Sequence, residues 1–302
     1  MKKIPLIVHG MQGMGDCIHQ RAVINGLRSR YDVYLVTPWP QIYHDMPDVK
    51  FIRRTTKLRA QSKNQEMMDE VYFTGAIPDA DSMKITYSPS DICSAGGSVV
   101  KAMIKSTGLP DYIFNTDFSL PIPDNWAIPA ECFKSDIDKP IMIYRPLTVR
   151  KEWSPTINRN PDPEAYYELI ENIRKDFFMI SIADLNDDEW RIDIDPEPDV
   201  RFESGQLDFG LMAALVSIAD FVWTPAGFMA VLARAVKSPA VCIFGGYENS
   251  QSFSAGNSPF LAIDTIAPCS CFSQFHNCNK SIDIPSAKKK IKSFINETMK
   301  RN

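Results

Sequence analysis

Four stretches of this chain concentrate side chains that could do chemistry. In the first, GMQGMGD, the residues Gly10, Gly13, Gly15 and Asp16 lie between the apolar run Ile4 to Val8 and a helical pattern from Ile18 to Arg28. Glycines there permit close backbone approach, and helix-start amides can receive an anion. Asp16 can cap those amides or act as a general base, and His9 and His19 flank the loop as pocket or structural histidines. In the second, Arg145, Thr148, Arg150 and Lys151 follow the apolar run Ile141 to Tyr144. Three cations and a hydroxyl at a strand's carboxyl end suit a diphosphate, or form a solvated basic loop. In the third, a strand turns into a helix around Thr224 and Gly227, where a hydroxyl and backbone amides can bind an anion or simply pack, and the next strand ends at Gly245. In the fourth, Cys269, Cys271, His276 and Cys278 offer three thiolates and an imidazole, a donor set for structural zinc or iron, a disulfide, or free thiols.

The elements that must position these residues alternate as α/β. The opening predicts strand, glycine loop, helix and a second strand at DVYLVTP, which is a βαβ start. A second alternation begins at Ile141 and continues through helices at 163–174, 207–219 and 228–236. Between them, LPIPDNWAIPAECFKSDIDKP carries four prolines, which predict an extended connector in place of a helix. This places one domain at 1–135, a second at 136–285, and a final helix at 286–302 whose face of Ile291, Phe294, Ile295 and Met299 is expected to pack back on the first domain. Residues 184–203, with nine acidic side chains against two basic ones, read as a solvated loop or a divalent-cation site.

With 302 residues, 44% apolar and 23% charged, the composition excludes a disordered chain, a coiled coil and a small disulfide scaffold. The formal charge of −4 demands neither nucleic acid nor an anionic membrane. Lys50, Arg53, Arg54, Lys57, Arg59 and Lys63 form a local basic run, either a solvated face or an acceptor-binding surface. The apolar run at the N-terminus is too short for a signal-peptide core, and no stretch approaches a membrane span. Seven cysteines, four of them scattered, fit a reducing cytoplasm better than a secreted disulfide framework.

The segment GMQGMGDCIHQRAVINGLR resembles the GxGD-helix opening of the heptosyltransferase-like glycosyltransferases of family 9. KPIMIYRPLTVRKEW is similar to the strand and loop that open that family's nucleotide-binding domain, and ADFVWTPAGFMAVLARAVKSPAVCIFGG to its strand-turn-helix-strand segment. The resemblance implies a GT-B-like fold of two Rossmann-like α/β/α domains facing across a cleft. It implies transfer of a sugar from a nucleotide-sugar co-substrate to an acceptor hydroxyl, with no cofactor required for catalysis. Asp16 would be the base, and Gly13, Gly15 and His19 would shape the acceptor side. Arg145, Thr148, Arg150, Lys151, Thr224, Gly227 and Gly245 would lie on the donor side. Pro225, Ala226 and Ala230 stand where the family carries a carboxylate, a hydroxyl and an imidazole, so heptose does not follow as the donor sugar. The cysteine cluster is similar in outline to a metal-binding motif of some protein-modifying relatives, from which His276 departs. Two other activities stay open: a nucleotide-sugar epimerase, and a nucleotide- or carbohydrate-binding protein without catalysis. The acceptor is open among a glycan, a small metabolite, a protein and a modified DNA base.

Overall fold

The computed structural model describes residues 3–149, 159–185, 189–192, 196–203, 205–272 and 279–300. The chain divides into two compact units, Met1–Pro121 with Gln251–Gly256, and Ile122–Ser250 with Asn257–Asn302.

In the first unit, β1 (Ile4–His9), β2 (Tyr31–Val36), β3 (Lys50–Ile52) and β4 (Asp81–Lys84) pair in the order β3-β2-β1-β4, all parallel. The crossover from β1 to β2 is α1 (Met14–Arg28), and α2 (Arg59–Met67) follows β3. Beyond β4 lie α3 (Pro89–Ser94) and α4 (Val99–Ser106), the latter packed on α1. Val8, Ile18, Ala22, Val23, Leu27 and Leu35 are fully buried between sheet and helices, the enclosure a parallel sheet requires.

The second unit opens with α5 (Asp124–Ser135), where the prolines of the sequence predict an extended connector. Pro123 sits at the N-cap, just before the first helical turn, where its missing N–H costs nothing. Pro129 removes only the bond that would reach Asn125. Packing on a later helix compensates: a Cβ on Gly210 would lie 2.6 Å from the Trp126 indole, so that glycine admits the ring. The boundary between units therefore precedes this helix.

The strands β5 (Ile141–Tyr144), β7 (Phe178–Ile182), β9 (Val200–Phe202), β10 (Phe221–Pro225), β11 (Ala240–Ile243) and β12 (Phe260–Ile263) form a second parallel sheet in the order β12-β11-β10-β5-β7-β9. A two-stranded antiparallel pair, β6 (Thr148–Val149) with β8 (Trp190–Arg191), stands apart from it. The intervening helices are α6 (Pro163–Glu171), α7 (Phe209–Ile218) and α8 (Phe228–Ala235). The last helix, α9 (Ile284–Met299), corrects a second expectation: Ala287 and Ile291 join the second unit's core with Tyr166, Phe177 and Phe221, and Phe294, Ile295 and Met299 pack against it. No helix among the described residues is long and apolar enough to cross a membrane.

Candidate functional site

In the first unit, the loop leaving β1 is held by side chains that take up its polar groups. Gln20 is fully buried on α1; its Oε1 accepts from the Met11 amide at 2.7 Å, and its Nε2 donates to the Tyr43 hydroxyl at 2.8 Å. The Cys17 thiol, which burial pushes well above its ordinary value, donates to the Met11 carbonyl at 3.1 Å. Trp39 Nε1 and Gln61 Nε2 both donate to the Gln12 carbonyl, at 2.9 and 3.0 Å. Arg54 donates to the Gly10 carbonyl at 2.7 Å, and the Gln12 side-chain oxygen, turned toward it, accepts from Arg54 Nε at 3.0 Å. Part of the basic run is thus structural: Arg54 ties down this loop, while Lys50 pairs with Asp32 and Arg53 with Asp69.

On this braced loop Gly13 is the N-cap of α1 and supplies no capping side chain. Asp16, in the first helical turn, is half-buried and accepts from the Tyr87 hydroxyl at 2.7 Å. A Cβ on Gly13 would stand 2.8 Å from Asp16 Oδ2, so the carboxylate lies back over the helix start. Gly15 is the second helical residue and is partly exposed. His19 is placed differently from the acceptor-side contact expected of it. Only 4% exposed, it meets Phe118 edge-on at 4.9 Å and Phe253 at 6.3 Å, because it falls on the face of α1 that turns into the core.

In the second unit, Arg145, Thr224, Gly227 and Gly245 sit at or just beyond the carboxyl ends of β5, β10 and β11, neighbours in one parallel sheet. Ligands of open α/β sheets bind at such an edge. Arg145 is 9% exposed, donates to the Ile182 carbonyl at 2.8 Å and lies over the Phe228 ring at 5.1 Å. Thr148 falls in β6, its carbonyl accepting from Asn160 at 3.2 Å. Arg150 and Lys151 lie outside the described residues. Gly227 caps α8 with φ of 156°, and a Cβ there would meet nothing within 4 Å.

Two of the residues expected on the donor side make close contacts within the protein. Thr224 is fully buried and donates its hydroxyl to the Pro225 carbonyl at 2.8 Å. At Gly245 a Cβ would lie 2.5 Å from the Arg159 carbonyl oxygen, so this glycine admits a neighbouring backbone. Ala230, at the family's imidazole position, is itself fully buried.

Of the cysteine cluster, Cys269 and Cys271 are exposed, and the Cys269 thiol donates to the Gly246 carbonyl at 3.1 Å. His276 and Cys278 lie outside the described residues, and among the described residues no group of three or more acidic, His or Cys side chains could hold a metal ion.

Sequence reasoning missed Gln20 and Tyr87, and it named Arg54 only as part of the basic run, not as a tie on the glycine loop. The one local signal for Tyr87 is the Ser88-Pro-Ser-Asp91 pattern directly after it, a capping box that starts α3.

No protein-family model and no curated protein matches the sequence. Solved structures do share the fold. A family 9 glycosyl transferase from Veillonella parvula superposes with a TM-score of 0.64 at 13% identity, covering 97% of both chains. The E. coli ADP-heptose lipopolysaccharide heptosyltransferase II gives 0.58 at 13%, covering 97% of this chain and 99% of its own. The iron-containing dodecameric glycosyltransferase TibC of enterotoxigenic E. coli gives 0.62 at 14%, covering all of this chain and 77% of its own. The protein accordingly has two α/β units with parallel sheets, consistent with the GT-B-like Rossmann architecture of those structures.

Proposed function

We propose that this protein is a cytoplasmic glycosyltransferase that moves a sugar from a nucleotide-sugar donor to an acceptor hydroxyl, with Asp16 as the base. One observation carries the reading: a half-buried carboxylate in the first turn of α1, directly after a loop whose carbonyls are tied back into the protein, with its own oxygen fixed by Tyr87 at 2.7 Å. A residue needed only as a helix cap requires no such support. The shared fold with a family 9 glycosyl transferase and with an ADP-heptose heptosyltransferase adds to it.

In the reaction, Asp16 takes the proton of the acceptor hydroxyl as that oxygen bonds to the anomeric carbon. The bond from this carbon to the donor phosphate breaks, its electron pair passes to the phosphate oxygen, and a nucleoside diphosphate leaves. Arg150 and Lys151, with Thr148 and the N-terminus of α8 at Gly227, would disperse the charge that builds on the diphosphate. Arg145 would set the base of that site. The missing carboxylate, hydroxyl and imidazole at Pro225, Ala226 and Ala230 leave the donor sugar open, so heptose does not follow. They also favour a second reading, a binding protein that keeps the nucleotide and has lost transfer.

Incubation with a panel of nucleotide sugars and acceptor classes separates these readings. Transfer releases nucleoside diphosphate only when acceptor is present, epimerisation releases none, and a binder turns nothing over. Asp16→Asn is expected to keep donor affinity and lose about 100-fold in turnover, the scale of a positioned general base. Near-normal turnover by that variant would reject Asp16.

The proposal includes a structural zinc or iron held by Cys269, Cys271, His276 and Cys278, whose soft donor set suits either metal, and no metal in the transfer step. TibC is described as iron-containing. Elemental analysis of purified protein should find about one ion per chain, as a single four-ligand site predicts; metal-free protein would remove the site from the reading.

A further inference from the structure

We propose that Tyr87 is a positioning residue for Asp16, holding one carboxylate oxygen so that the other stays over the start of α1. This rests on the reading of Asp16 as the base. The two residues are 71 positions apart and meet because β1 and β4 are parallel neighbours, which brings the loops that leave them to one sheet edge.

Three contacts fix where the phenol stands. The Ile85 amide donates to the His9 carbonyl at 3.1 Å, carrying the β4 register one residue past the strand. The Thr86 amide donates to Ser106 Oγ at 3.2 Å, which anchors the turn to the end of α4. Ser88 then begins α3 with a reciprocal capping box, its amide donating to Asp91 Oδ2 at 2.7 Å and its hydroxyl accepting from the Asp91 amide at 3.3 Å. Tyr87 is pinned on both sides, so its hydroxyl reaches Asp16 Oδ1 from a rigid turn.

The consequence for the carboxylate is directional. With Oδ1 held by Tyr87 and Oδ2 over Gly13, rotation about the last side-chain bond would break the phenol's hydrogen bond, so that bond favours one orientation of the carboxylate. The phenol also donates to the ionised form, which favours a carboxylate ready to accept a proton. Among the described residues, the Cys17 thiol on the same helix feels the charges of both Asp16 and Arg54, and Arg54 reaches the Gly10 carbonyl from beyond β3.

The test is a carbon-13 NMR titration of the full-length protein labelled at aspartate carboxyls, with the Asp16 signal assigned by its loss in Asp16→Asn. Tyr87→Phe keeps the ring and removes the donor. The expected result is a rise in the Asp16 midpoint of about one pH unit, a tenfold gain in proton affinity, with an unchanged melting temperature. Should Tyr87→Phe fail to fold, Tyr87→Leu takes its place with the same expectation. An Asp16 midpoint unmoved in the folded variant would overturn the proposal. Because this reading needs no substrate, it separates from the catalytic one: a shifted midpoint with full turnover by Asp16→Asn would leave the Tyr87 bond in place and remove the base. With an active donor in hand, Tyr87→Phe should move the acidic limb of the kcat/KM profile upward by the same amount and leave donor KM unchanged.

Discussion

Gly13 is bare where the Asp16 carboxylate folds back, and this makes it a sensitive point for function at little cost in stability. Its φ of −64° and ψ of 137° are open to any residue, so alanine fits the backbone and restricts the unfolded chain. The new Cβ would nonetheless stand 2.8 Å from Asp16 Oδ2, and the side chain must swing away. Gly13→Ala should therefore leave the melting temperature nearly unchanged, the restricted unfolded chain being offset by the poorer N-cap that alanine makes. Turnover should fall about tenfold, the scale at which a misplaced catalytic group is felt. Thermal unfolding and turnover measured on the same preparation check this, and unchanged turnover would show that the orientation of the carboxylate does not matter. At Gly245 the same residue type serves another purpose, since the atom a Cβ would meet is the Arg159 carbonyl. Both glycines lie just beyond the carboxyl end of a parallel strand, and only the identity of the facing atom tells them apart.

Elements were legible where the signal is local. The run Ile4 to Val8, the glycines and the following apolar periodicity specify β1, its loop and α1 with no help from distant residues. The same holds for β5, β10, α8 and β11, whose buried apolar runs are bounded by turn residues. Helix α5 was not legible, because proline content outweighs everything else in a local reading, and the helix depends on Trp126 lying on Gly210, 84 residues away. The stretch between β2 and α5 resisted reading for a related reason. There Tyr72 joins Phe51 only as a single isolated bridge, too short to leave a period-two pattern. The candidate site divides along the same line. Asp16 stands out by its motif, whereas Tyr87 becomes visible only when strand order is known, since nothing within ten residues of it points to a carboxylate on α1.

For the whole molecule, the segment Gln251–Gly256 matters most, because it lies late in the sequence and counts with the first unit. Phe253 is 5% exposed and stands 6.3 Å from the His19 ring, on the buried face of the helix that carries Asp16. Gly97, with φ of 86°, accepts this segment closely: a Cβ there would lie 2.7 Å from Gln251 Cβ. The first unit's core is therefore completed by residues made after most of the second unit, and neither unit is a continuous piece of chain. Truncating the phenyl ring should weaken the first unit in particular. Phe253→Ala is expected to cost about 3 kcal/mol, the lower end for removing a buried aromatic ring. Amides of α1 that exchange only on opening of that unit should then exchange about 100-fold faster, while those of β10 and β11 keep their wild-type rates. Hydrogen exchange read by mass spectrometry resolves the two sets of peptides. Unchanged protection in α1 would mean that the ring contributes nothing to the unit that surrounds it, and would detach residues 251–256 from the first core.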